Sequence, residues 1–333
     1  NGSRFGVGSG GGVPLAANPS LPGQISHGRE MPFIDAIGNV LSIPNKLMFG
    51  TADIESHAIS PEVEAELERF MIQHDLDVHV RLNEYDPLGE LWRLLTNRRV
   101  SIFLRLTIGP LMWLAYTLNI GRLFGGDHYN AFSHSVNLYS NHMSIAIHEM
   151  GHVLDFQQRR FPGLWALSRF IPGFALYQEY LASLAAVEYF REHSMFDEEI
   201  RAYRVLFPAY STYVFGTLVD FFPSAATKWV LFPCIAVGHA IGNYLADQRL
   251  KAIDDPNLTL GGQWIDEGRG AIEMFSPQTL YGRRQLGVLI GMLAGSSVCG
   301  VLGPVGAWFG YLMAAPVAGD DGSLTTRLSA PRY

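Results

Sequence analysis

The sequence predicts a mainly α-helical protein with a small β-sheet and a set of apolar, membrane-associated helices. Three observations carry this reading. Apolar residues recur at helical spacing over 60–73, 143–158 and 175–190. Only two short stretches, 75–82 and 132–138, alternate as half-buried strands do. Four long stretches are almost free of charge, in a chain of 333 residues that is 48% hydrophobic and 17% charged. An average soluble domain is about 25% charged.

The elements follow in chain order. Residues 1–58 open with "NGSRFGVGSGGGVPLAANPSLPG" and read as an extended Gly/Pro-rich arm. Such a composition has no order of its own, so other subunits of a larger assembly are expected to hold it. Ser60 followed by Pro61 reads as a cap and first turn. Val63, Leu67, Phe70 and Met71 continue that helix, with Glu62, Glu64, Glu66 and Glu68 as its solvated face. "DLDVHVRL" at 75–82 reads as a strand. Phe132, His134, Val136 and Leu138 alternate with polar residues and read as a second.

The net charge of −7 comes without a basic run, and nucleic acid is excluded as a partner. Cys234 and Cys299 are the only cysteines, which excludes a disulfide framework and a Cys-rich zinc module.

Stretches 101–120, 205–222, 229–246 and 286–318 are the candidates for contact with membrane lipid. The last has 33 residues without a charge. That is too many for one straight span of about 20 residues and short for two. Small residues recur along it at every fourth position (Gly287, Gly291, Gly295, Cys299, Gly303, Ala307), a stripe that lets another helix come close. Gly238, Gly242 and Ala246 form a similar row and mark 229–246 as its expected partner. Arg283 and Arg284 before the block, with Asp320 and Asp321 after it, would set a single span with its start on the cytoplasmic or matrix-like side. A bacterial inner membrane or an organellar one, such as the mitochondrial inner membrane, is the expected location.

"SIAIHEMGHVLDF", residues 144–156, carries the chemistry. On a helix running from Met143 to Gln158, capped by Ser140 or Asn141, residues four apart share a face. His148 and His152 then direct ring nitrogens at one ion. Zn2+ favours imidazole ligands and, in catalytic sites, keeps one position for water. Glu149, one step around, is placed to take a proton from that water. Gly151 costs the helix about 1 kcal/mol relative to alanine, so the close approach of another segment is expected there.

This segment resembles the active-site helix of zincin metallopeptidases, and the likeness covers residues 128–190. It implies a zincin-like core: an edge strand, the HExxH helix and a Glu-bearing helix. The extended pattern with a third His six residues on fails at Gln158. In gluzincins the third ligand is a Glu on a second helix. Glu179 in "ALYQEYLASLAAVEYF" stands at a comparable separation, with Glu188 as its rival. Ser183 and Ala186 would share its face. Asp155, one turn beyond His152, is the candidate to orient an imidazole. The strand before the helix would pair with extended substrate. His128, His134 and His142 are further, weaker ligand candidates, and Tyr139 or Tyr177 would stabilise an oxyanion.

The resulting division is an arm (1–58), a zincin-like metal-binding domain (59–204), a membrane-associated helical region with glycine rows (205–318) and a C-terminal tail (319–333). The leading functional reading is a membrane-bound zinc metallopeptidase that hydrolyses peptide bonds. The alternatives are an accessory subunit of a membrane complex that keeps the fold without turnover, and a membrane module in which HExxH is accidental.

Overall fold

The computed structural model describes residues 24–221 and 227–254. Positions 1–23, the 286–318 block with its glycine rows and the 319–333 tail lie outside the described residues. The described chain is mainly helical with one four-stranded sheet, as expected.

Strand β1 (Ile25–His27) is followed by helices α1 (Pro32–Leu41), α2 (Ile43–Phe49) and α3 (Pro61–Gln73). Residues 24–58, read as arm, therefore carry a strand and two helices. Ser60 Oγ accepts the Val63 N–H at the start of α3, as its Ser-Pro sequence implies. The acidic face of α3 is not wholly solvated. Glu66 is buried and accepts the Tyr189 hydroxyl.

After β2 (His79–Leu82) come four short helices: α4 (Pro87–Thr96), α5 (Ile102–Thr107), α6 (Gly109–Leu118) and α7 (Gly121–Phe124). The apolar stretch 101–120 is thus split between two helices of six and ten residues. Strands β3 (His128–Asn130) and β4 (Ser135–Leu138) follow. The sheet order is β1-β2-β4-β3, with β3 antiparallel to β4 and the other pairs parallel.

The alternating run 132–138 is not the edge strand that the sequence suggested. Its first part is a turn: Asn130 Oδ1 accepts the Phe132 N–H, and His134 has a positive φ of 54°. Its second part, β4, lies between β2 and β3, and all four residues are buried. The edge is β3.

The long helices are α8 (Met143–Gln157), α10 (Phe174–Glu192), α11 (Phe196–Phe221) and α12 (Leu231–Asp254), with the short α9 (Pro162–Leu167) between α8 and α10. α8 is the centre of the fold. Eleven of its 15 residues are buried, because α3, α10, α11 and the sheet all pack on it. Each fully buried large apolar side chain, such as Ile147 or Met150, is worth roughly 1.5–3 kcal/mol. Neither Ser140 nor Asn141 caps it. The N-cap is His142, which makes no side-chain cap bond. Asn141 instead accepts the Ser60 N–H at 2.8 Å, and Ser140 donates to Asp127.

α11 runs unbroken through 204–205, so the boundary drawn there falls inside a helix. The row Gly238, Gly242 and Ala246 on α12 lies against α11. A Cβ on Gly242 would stand 2.3 Å from the Tyr203 carbonyl oxygen, and one on Gly238 2.7 Å from Pro208 Cα. No helix among the described residues is long and apolar enough to cross a membrane.

Candidate metal centre

Two helices build the centre. α8 presents His148 and His152 on one face, and α10 presents Glu179 across from them. Their contact is close because α8 carries glycine where α10 passes. A Cβ on Gly151 would lie 2.7 Å from the Ala182 carbonyl oxygen and 3.0 Å from its Cα. The close approach expected from Gly151 is therefore made by α10.

His148 Nε2 is 3.2 Å from Glu179 Oε2, and His152 Nε2 is 3.4 Å from Glu179 Oε1. One ligand atom from each of the three residues lies within 4.8 Å of the others. Donors about 2.0–2.1 Å from a tetrahedral ion stand about 3.4 Å apart, so the spacing suits one small divalent cation. Two imidazoles and a carboxylate are a donor set that could hold a metal ion. His148 Nδ1 is 3.2 Å from Ser183 Oγ. With Nδ1–H donating to that hydroxyl, Nε2 keeps its lone pair for a metal. His152 Nδ1 is buried and has no hydrogen-bond partner among the described residues.

Charge is concentrated here. Burial alone would raise the Glu179 carboxyl, but His152, His148 and Arg169 outweigh it and hold the group well below the usual carboxylate range. Burial alone would lower His148, and the bond to Glu179 turns this into a net upward shift. Arg169, just past α9, donates to Glu179 Oε1.

Glu149 turns towards the edge strand. Its Oε2 accepts the Tyr129 N–H of β3 at 2.7 Å, and its Oε1 takes no hydrogen bond among the described residues. Glu149, His152 and Glu179 open into a cleft of about 550 Å³ whose other walls include Met112, Tyr116, His128, Phe132, Arg169 and Tyr213.

The remaining sequence candidates fall elsewhere. Glu188 stays outside the cluster, and burial pushes its carboxyl up to about 7. Asp155 does not orient an imidazole. It accepts from Arg159 Nε at 3.0 Å and Trp165 Nε1 at 2.6 Å in a buried knot between α8 and α9. His134 bonds the Asp77 carbonyl and the Tyr129 hydroxyl, and His142 sits at the helix start; neither joins the metal group. His128 lines the cleft, but its Nδ1 is on the Gly126 carbonyl. Tyr139 donates to the Glu84 carbonyl, and Tyr177 packs on Trp165; neither lines the cleft.

Two cleft residues were not legible in the sequence. Arg169 lies in a short 3₁₀ turn outside any periodic segment, and Tyr213 lies in an apolar run whose composition pointed to lipid. Tyr213 faces the Glu179 charge, which, with burial, raises its hydroxyl pKa. Compared with protein families, characterised proteins and solved structures, the chain gives no match.

Proposed function

We propose that this chain is a membrane-associated zinc metallopeptidase with Glu149 as its general base. The observation that carries the reading is the convergence of His148, His152 and Glu179, the last two of which line one cleft with Glu149. Zinc, held by those three side chains, would supply a Lewis acid that polarises a carbonyl and makes water acidic near neutral pH. Glu149 Oε1 takes the proton of the attacking water and returns it to the leaving amine. The Tyr129 N–H holds the other carboxylate oxygen and fixes the direction in which Oε1 faces. Ser183 holds His148 by its far nitrogen. An extended peptide would lie in the cleft beside β3, whose His128, Tyr129 and Asn130 line it. The apolar stretches support the membrane side of the reading.

A second reading is favoured by one contact. Arg169 is bonded directly to Glu179, so a guanidinium shares the carboxylate that a metal needs. That arrangement suits an accessory subunit of a membrane complex that keeps a zincin-like core without turnover.

Substitution at Glu149 separates the two. Glu149→Gln is expected to keep zinc, measured by elemental analysis, and to lower peptide hydrolysis by about 10²–10⁴-fold. His148→Ala and His152→Ala are expected to lose the metal as well. Hydrolysis unchanged in Glu149→Gln with zinc still bound would overturn the peptidase reading.

A further inference from the structure

We propose that the outward faces of α4, α5 and α6 form one surface that beds in the interface of an anionic lipid bilayer, and that this seating brings the metal cleft to the lipid surface. The three helices are a packed unit, with Leu94 of α4 seated on Gly109 at the start of α6. Their outer sides carry Leu88, Trp92, Phe103, Leu106, Leu111 and Leu118, which are 61–76% exposed. Large apolar side chains exposed together on one packed unit mark a surface for contact with a protein or a membrane.

Length and charge point to lipid in the plane of the interface. Ten, six and ten residues are too few to span a bilayer, which takes about 20. Short amphipathic helices with an exposed Trp and basic neighbours lie at the headgroup level. Within 87–118 the single acidic side chain, Glu90, is buried against Asn130 and Ser135. Arg93, Arg98, Arg99 and Arg105 remain, in a chain whose net charge is −7. Arg98 and Arg99 are exposed and form no ion pair among the described residues. With Arg93 and Asp77 they line a hollow of about 330 Å³ beside the apolar face. This local excess of positive charge complements anionic headgroups.

α6 links this surface to the chemistry. Leu111 and Leu118 face outward, while Met112 and Tyr116 of the same helix line the metal cleft. The lipid contact stands apart from the metal. The consequence for substrate rests on the peptidase reading: the peptide would be one presented at the bilayer surface.

The test uses the full chain with Cys234 and Cys299 replaced by serine. Single cysteines at Leu88, Phe103 or Leu118 carry an environment-sensitive fluorophore. The protein is reconstituted into phosphatidylcholine vesicles with or without phosphatidylglycerol. In the anionic vesicles each label is expected to shift to the blue and to be quenched by a lipid-borne quencher. A label at exposed Glu68 on α3 is expected to stay aqueous. Replacing Arg98 and Arg99 by alanine is expected to move the immersed-to-exposed ratio roughly 30-fold towards exposed, in anionic vesicles only. His148→Ala protein is expected to give the same label response, so loss of the metal leaves this result standing. Labels as accessible to aqueous iodide as the one at Glu68 overturn the proposal. So does shielding that is present without lipid and requires a bound protein.

Discussion

At Gly151 two local effects compete. Alanine would favour the helix by about 1 kcal/mol, yet its Cβ would stand 2.7 Å from the Ala182 carbonyl oxygen on α10. Backbone cannot retreat as a flexible side chain can, so the clash wins. Gly151→Ala is expected to destabilise the fold by about 1–3 kcal/mol in urea titrations, and to weaken metal retention because α10 carries Glu179. The two histidines and Glu149 were legible from their spacing alone, since a helical repeat fixes which side chains share a face. The choice of Glu179 over Glu188 was not. Both lie on α10, and only packing decides which of them turns to α8.

Among the elements, α8 is held at its C-terminal end by a buried charge knot. Asp155 bonds Arg159 and the Trp165 indole, tying α8 to α9, and the Arg159 guanidinium lies 4.1 Å from the centre of the Trp165 ring. All three side chains are buried. Asp155→Ala leaves Arg159 without its carboxylate and is expected to cost about 3–5 kcal/mol. A double substitution, Asp155→Ala with Arg159→Met, should recover a large part of that loss in chemical denaturation. Arg169 follows α9 directly, so the single variant is also expected to loosen the contact with Glu179. The sequence placed α3, α8 and α10 correctly because each has a long periodic pattern. It joined a turn and a strand at 132–138 because alternation continues by chance through His134, where the backbone is left-handed.

For the molecule as a whole, buried ionisable groups set opposing dependences on pH. Burial lowers His134 and His142 to about 4, below the value of about 6.5 in an unfolded chain. Their share of stability is complete above pH 6.5 and is lost as pH falls towards 4, because the unfolded chain binds the protons first. Burial raises Glu55 and Glu188 to about 7. Their share is complete below pH 4.5 and is lost as pH rises through 7. The two effects offset each other between pH 4.5 and 6.5. Glu188→Gln removes one of the opposing groups. Stability of that variant is therefore expected to rise more steeply with pH than that of the parent, by about 1–3 kcal/mol between pH 5 and 7. Urea midpoints at pH 5, 6 and 7 measure this, and parallel profiles would show that Glu188 does not titrate in that range.

The sequence by itself determined the helical class, the HExxH helix and its three chemical side chains, because these follow from a period of 3.6 residues and from residue type. Only the tertiary structure decided which carboxylate completes the centre, which strand is the edge and which apolar stretches break into short surface helices. Those outcomes depend on contacts between segments far apart in the chain. Glu179 and His148 are 31 residues apart, and Arg169 reaches the same carboxylate from a turn with no periodic pattern to announce it.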